Sequence, residues 1–234
     1  MTCLRDANLR CIAFDADDTL WRNEEFYRGA HARFADLLAD YAPPEGMRAR
    51  LVAAEARNLG RYGFGIKGFT LSMIETAIEV TQGAVPASVI SQIIAEGQEM
   101  LAHPVQLLPH VAEVLDTLAA QRPLILITKG ELLDQERKLA ASGLGDHFRA
   151  VHIVSDKTEA VYARILSGEG VAPEEALMVG NSLRSDILPM LGVGSWAVHV
   201  PAALTWEYEQ AEAPDHPRFI QIADFGALPA QLGF

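Results

Sequence analysis

The chain has 234 residues, half of them hydrophobic, with a formal net charge of −12 and an isoelectric point near 5.0. That length supports one large domain, or one domain with a smaller one inserted, and the acidic surface repels phosphate backbones, so nucleic acid is not an expected partner. Cys3 and Cys11 offer neither a disulfide framework nor a zinc spacing, the first twenty residues carry acids where a signal peptide would be apolar, and no run approaches the roughly 18 apolar residues of a membrane span. A soluble, cytoplasmic protein with no membrane partner is expected.

In chain order, residues 10–15 form a short apolar run that reads as a buried strand. Residues 21–103 then show no convincing strand. Helical patterns run over 25–40, 45–59, 70–80 and 87–102, broken at 43–44, 60–68 and 83–86 by proline and glycine. From residue 105 onward helical patterns alternate with apolar runs. Helices are predicted at 111–120, 132–142, 159–166 and 186–191, with Gly143 as a C-cap. Strands are predicted at 123–128, 151–155, 176–180 and 196–200. Strand and helix in alternation predict a doubly wound, Rossmann-like parallel-sheet α/β core, residues 1–20 and 104–234, interrupted by an all-helical insertion, residues 21–103.

The ends of the strands carry the chemistry. The first runs through Cys11-Ile12-Ala13-Phe14 into Asp15-Ala16-Asp17-Asp18-Thr19-Leu20. On an extended chain Asp15 and Asp17 point to one side and Asp18 to the other, and paired carboxylates attract a divalent cation. The later strands deliver Thr128-Lys129-Gly130, Ser155-Asp156-Lys157 and Gly180-Asn181-Ser182-Leu183-Arg184-Ser185-Asp186. In open α/β sheets ligands bind beyond the carboxyl ends of the strands. A nucleophile, cations, hydroxyl donors and a further acid at that edge are the parts phosphoryl transfer uses. Singly, each has a plainer meaning: Thr128 as a strand-end hydroxyl, Lys157 as a solvated lysine, Asp186 as an acid at a helix start, Asp18 and Asp156 as turn or cap residues. His103, His110, His147, His152 and His199 show no ligand spacing.

Taken together, the four segments resemble the haloacid dehalogenase superfamily in its phosphatase branch. Phe14 to Leu20 is similar to the first motif, Ile127 to Gly130 to the second, Lys157 to the third, and Gly180-Asn181 through Asp186 to the fourth. The resemblance implies Asp15 as nucleophile, Asp17 as general acid and base, and Thr128 and Lys157 as phosphate holders, with Lys129 a rival for that role. It implies Mg²⁺ bound among Asp15, the main-chain carbonyl of Asp17 and the fourth motif, where Asn181 and Asp186 are the candidates. Asn181 departs from the aspartate of many members, a neutral amide that Mg²⁺ can still accept. The insertion resembles the family's helical cap. The implied activity is hydrolysis of a small phosphorylated metabolite through an aspartyl-phosphate. Phosphomutase, dehalogenase and non-catalytic binding protein are the alternatives, and Asp17 argues against dehalogenation because a halide leaves without a proton.

Gly63-Phe64-Gly65-Ile66-Lys67-Gly68 spells a dinucleotide-binding fingerprint, but a helix rather than a strand precedes it, so no dinucleotide is expected. Arg61, Tyr62 and Lys67 around these glycines are the expected specificity residues, supplying cations and an aromatic ring to a leaving group.

Overall fold

The computed structural model describes residues 4–43 and 46–234; Cys3, Pro44 and the predicted helix start at Glu45 lie outside the described residues. The chain falls into two compact units, Met1–Glu24 with Val105–Phe234, and Glu25–Pro104.

The first unit is built on a six-stranded parallel sheet in the order β3-β2-β1-β4-β5-β6. Its strands are β1 (Cys11–Phe14), β2 (Leu124–Lys129), β3 (Phe148–Val154), β4 (Ala176–Gly180), β5 (Trp196–His199) and β6 (Phe219–Gln221). β1 lies between β2 and β4, with Phe14 in register with Leu126 on one side and Val179 on the other. Every residue of β1 and β4 is buried, which explains their uninterrupted apolar sequence. Alternate residues feed opposite faces: Ile12, Phe14, Leu126, Leu177 and Val179 join one core, and Cys11, Ala13, Ile125, Ile127 and Met178 the other.

Two departures concern the sheet rim. β3 begins at Phe148 rather than 151; it is an edge strand, half exposed, and its polar Arg149 hides the start. β6 leaves no signal in the sequence, because three residues are too few to establish a period.

Helices cover the sheet: α5 (Val111–Ala119), α6 (Leu132–Ser142), α7 (Glu159–Gly168), α8 (Leu188–Gly192) and α9 (Leu228–Leu232), numbered after the four of the inserted unit. α6 stops at Gly143, whose φ of 71° is left-handed, the conformation a glycine C-cap supplies. The helix predicted at 186–191 is instead a wider π-helical turn, Leu183–Ile187, running into α8.

The second unit holds α1 (Glu24–Leu37, its first residue in the other unit), α2 (Met47–Tyr62), α3 (Ile66–Val80) and α4 (Ala87–Ala102). It has its own apolar cluster, including Phe34, Leu38, Leu51, Phe69, Met73 and Ile93. The predicted break at 60–68 shrinks to residues 63–65: Gly60 lies in α2 and Gly68 in α3. Gly68 fits inside a helix for a packing reason, since a Cβ there would meet Gly63 O at 3.1 Å and Tyr62 Cβ at 3.3 Å. Among the described residues no helix is long and apolar enough to cross a membrane.

Candidate active site

The parallel register brings four loops to one edge of the sheet. Asp15 N donates to Val179 O at 3.0 Å, so the ladder extends one residue past β1 and delivers the Asp15 side chain at the rim. The chain then turns tightly: Leu20 N donates to Ala16 O at 2.8 Å and Asp18 N to Trp21 O at 2.7 Å, with Asp18 in the left-handed region at φ 60°. Asp18 uses its carboxylate to accept from the main-chain N–H groups of Asn23 and Glu24, the start of α1, which is N-terminal capping. Burial pushes Asp18 up to about 7.

The closest cluster is Asp15, Lys157 and Asp186. Lys157 Nζ donates to Asp15 Oδ1 and, at 2.7 Å, to Asp186 Oδ1. All three side chains are buried, Lys157 and Asp186 almost completely. Burial, reinforced by the charge of Asp186 and opposed by Lys157, pushes Asp15 up to about 7. Burial acts to neutralise Lys157, but the two carboxylates outweigh it and hold the ammonium charged. Asp186 Oδ2 accepts from Ser182 N at 3.0 Å. Gly180 is required for this approach, because a Cβ there would lie 2.3 Å from Asp186 Oδ2.

The other oxygen of Asp15 faces Thr19 and Asn181. Thr19 Oγ1 donates to Asp15 Oδ2 at 3.0 Å and accepts from Asn181 N at 3.0 Å. The Asn181 amide nitrogen lies 3.1 Å from Thr19 Oγ1 and 3.2 Å from both Asp15 Oδ2 and the main-chain oxygen of Asp17.

Asp17 does not share the partners of Asp15. Its carboxylate accepts from Trp21 Nε1 at 2.7 Å, Gln135 Nε2 at 2.8 Å and Lys138 Nζ at 3.0 and 3.2 Å. Burial raises Asp17, but Lys138, Gln135 and Trp21 together bring it below the ordinary carboxylate value. The expectation that Asp15 and Asp17 share one face because they are two apart on a strand is corrected: β1 ends at Phe14, and the loop after it turns the two carboxylates to different partners. The carboxylate that shares a partner with Asp15 is Asp186, 171 residues further along the chain and bonded to the same Lys157 Nζ.

Thr128 ends the inner part of β2, is 1% exposed, and its Oγ1 has no protein partner. Buried hydroxyls are rarely left so, and this donor at the carboxyl edge is suited to an anionic oxygen. Lys129 takes another direction: its Nζ donates to Ser185 Oγ at 2.9 Å and pairs with Glu209. Glu209 also accepts from the hydroxyls of Ser182 and Ser185. Burial pushes Glu209 up, and Lys129 with the two serines brings it net below its ordinary value. Arg61, Tyr62 and Lys67 are exposed around the α2–α3 turn of the helical unit, and Tyr62 OH donates to Glu75 Oε1 at 3.0 Å.

Thr19, Trp21, Gln135, Lys138, Ser182 and Glu209 join the predicted residues. Thr19 and Ser182 lie inside the quoted motifs and Trp21 directly follows the first; Gln135 and Lys138 on α6 and Glu209 on the β5–β6 loop reach the strand ends only in the tertiary structure.

Asp15 and Asp186 are two carboxyl groups against one ammonium, and Asp15 Oδ2 and the Asp17 carbonyl point oxygens toward the Asn181 side chain, which would have to turn its amide oxygen inward to join them. That is a hard-cation donor set, so these residues fit a magnesium ion. No group of three or more His, Cys, Asp or Glu side chains forms a metal cage among the described residues; the fit depends on the Asp17 carbonyl and on a turn of the Asn181 amide.

Sheet order, insertion point and a carboxylate–lysine cluster at the strand ends define a doubly wound α/β protein with an inserted helical unit and a candidate catalytic centre at the sheet edge. A family model for haloacid dehalogenase-like hydrolases matches residues 9–194, and the chain belongs to that family. A haloacid dehalogenase-like family hydrolase from Xanthomonas campestris is similar over 97% of this chain and 91% of its own, at 40% identity and a TM-score of 0.88. The putative HAD-hydrolase YfnB from Bacillus subtilis, solved with magnesium, shares the fold at 16% identity, covering 97% of this chain and 100% of that one, with a TM-score of 0.69. So does the 2-haloacid dehalogenase from Pseudomonas syringae pv. Tomato DC3000, at 22% identity, 96% and 98% coverage and a TM-score of 0.61. A comparison with curated proteins found no match.

Proposed function

We propose that this hydrolase is a magnesium-dependent phosphatase acting in the cytoplasm on a small phosphorylated metabolite. The observation that carries the reading is Asp17, a second carboxyl group two residues from Asp15 whose direction is fixed by Trp21, Gln135 and Lys138. An alkoxide leaving group needs a proton and a halide does not, so a dedicated acid beside the nucleophile favours an oxygen ester.

Asp15 attacks phosphorus: the Asp15 O–P bond forms, the bond to the leaving oxygen breaks, and that oxygen takes its electron pair and a proton from Asp17, which has to pick up that proton beforehand against the pull of Lys138, Gln135 and Trp21. Water then attacks phosphorus and gives a proton to the Asp17 carboxylate. The Asp15 O–P bond breaks, inorganic phosphate departs, and Asp17 is protonated as at the start. The Thr128 hydroxyl and Lys157 hold phosphoryl oxygens, and Lys157 also orients Asp15 against Asp186. Asp15, Asp186, Asn181 and the Asp17 carbonyl would hold magnesium, which supplies charge neutralisation between carboxylate and phosphate. Lys129, committed to Glu209, is assigned a structural role. The helical unit acts as the cap, with Arg61, Tyr62 and Lys67 contributing to the choice of leaving group.

The test is phosphate release from a panel of phosphorylated metabolites with Mg²⁺ and after chelation, wild type beside Asp15→Asn. Loss of an essential nucleophile costs on the order of 10⁴-fold or more in turnover. Near-wild-type activity in Asp15→Asn, or full activity after exhaustive chelation, removes the respective assignment. Dehalogenation is the second reading because Asn181 is neutral where an acid would bind a cation better; halide release from a 2-halo acid without phosphate release from any ester would select it.

A further inference from the structure

Helix α6 puts Leu139 against the core but otherwise turns polar residues inward. It buries Asp134, Gln135 and Lys138, while Leu132 and Leu133 are 61% and 70% exposed. An amphipathic helix normally does the reverse, and such inversions are expected where an element serves the reaction. The inward polar face meets Asp17. Lys138 Nζ donates to both Asp17 oxygens, at 3.0 and 3.2 Å, and to Asn23 Oδ1 at 2.9 Å, with Asp134 Oδ2 at 3.5 Å on its remaining side. Gln135 Nε2 donates to Asp17 Oδ2 at 2.8 Å.

A carboxylate on a tight loop beyond a strand has two side-chain torsions to settle. Trp21, Gln135 and Lys138 settle them from three directions, two of these from one helix. We propose that Lys138 is a positioning residue for proton transfer: with Gln135, it aims the Asp17 carboxylate at the leaving-group oxygen. Lys138 itself touches neither nucleophile nor phosphate-holding residue; it acts through Asp17. The inference rests on the phosphatase reading.

The consequence is a dependence on the leaving group. The kcat/KM ratio reports the reaction up to departure of the leaving oxygen, so it is measured across esters from p-nitrophenyl phosphate to simple alkyl phosphates. Lys138→Met is expected to lose less than about threefold on the p-nitrophenyl ester but about 10–100-fold on alkyl esters, the scale of losing a partner that orients a functional group. Lys138→Met on top of Asp17→Asn should cost no more than Asp17→Asn alone, because the lysine has nothing left to position. Lys138→Arg, which keeps the charge, should recover part of the alkyl-ester activity. The indole N–H resonance of Trp21, which shares Asp17, should shift in Lys138→Met whatever the activity.

An equal loss across all leaving groups, or full additivity with Asp17→Asn, overturns the proposal. If Lys138→Met does not fold, Gln135→Met and Lys138→Arg are read on the same leaving-group series by the same two criteria. Wild-type protein that releases phosphate from no ester defeats the phosphatase reading, and the inference with it. Active wild type with leaving-group-independent variants defeats the inference alone.

Discussion

Two carboxylates cannot both stay ionised in a dry pocket without compensation. Lys157 Nζ gives one positive charge to Asp15 and Asp186 together. Asn181 stands beside this pair, and in the proposed magnesium site it would be the one neutral side-chain ligand. Replacing it by aspartate adds a charged ligand at the position now within 3.2 Å of Asp15 Oδ2 and the Asp17 carbonyl. Asn181→Asp is expected to tighten Mg²⁺ binding about tenfold or more, in line with the effect of ligand charge on hard-cation sites. Titration calorimetry with Mg²⁺ and no substrate checks this, and unchanged affinity would mean that residue 181 does not face the ion.

At the scale of elements, the site depends on pieces far apart in sequence that hold one another. Glu209, on the loop between β5 and β6, ties Lys129 at the end of β2 to Ser182 and Ser185 beside the π-helical turn. Its carboxylate is held below the ordinary value of 4.5, net of the opposing effect of burial. A depressed carboxylate stabilises the fold above its unfolded value, and that contribution is lost as pH falls through the folded value. Wild-type protein should therefore lose stability below about pH 4.5 partly through Glu209, and Glu209→Gln should show a flatter slope there. At neutral pH the same substitution should cost about 2 kcal/mol, since Lys129 and the two serines lose their charged acceptor. Urea unfolding at a series of pH values measures both effects; parallel curves would show that the network contributes nothing through ionisation.

For the whole molecule, the telling feature is that the two units carry separate cores. Phe34, 1% exposed, packs in the helical cluster and belongs to no cluster of the sheet unit. Phe34→Ala removes about 3–5 kcal/mol of core packing. Hydrogen exchange should accelerate over α1–α4 while β1 and β4 keep their protection, because cooperative opening follows contiguous packing. Equal acceleration in both units would show that they unfold as one. A specificity role for the helical unit has its own consequence. Arg61→Ala and Lys67→Ala should change relative kcat/KM among natural substrates and leave p-nitrophenyl phosphate little affected. A preserved rank order and efficiency in both variants would place specificity elsewhere.

Much of this was written in local sequence. Runs of four to six apolar residues ending in polar ones gave away β1, β2, β4 and β5, because a strand covered on both faces has no room for polarity until it leaves the sheet. The same break marks Asp15, Thr128, Lys157 and Asp186 as rim residues, and helical periodicity set apart the insertion. What sequence could not carry was the direction of side chains past the strand ends. Asp15 and Asp17, two residues apart, look like a pair; the loop from Ala16 to Trp21 gives Asp17 to Gln135 and Lys138 and leaves Asp15 to Lys157 and Asp186. Lys129 and Lys157 look equivalent as cations, and their partners separate them: Glu209 and Ser185 hold the first, Asp15 and Asp186 the second. Backbone pattern is a local property, fixed by burial along the strand, whereas the partner of a buried charge is chosen by whatever the fold brings within about 3 Å of it.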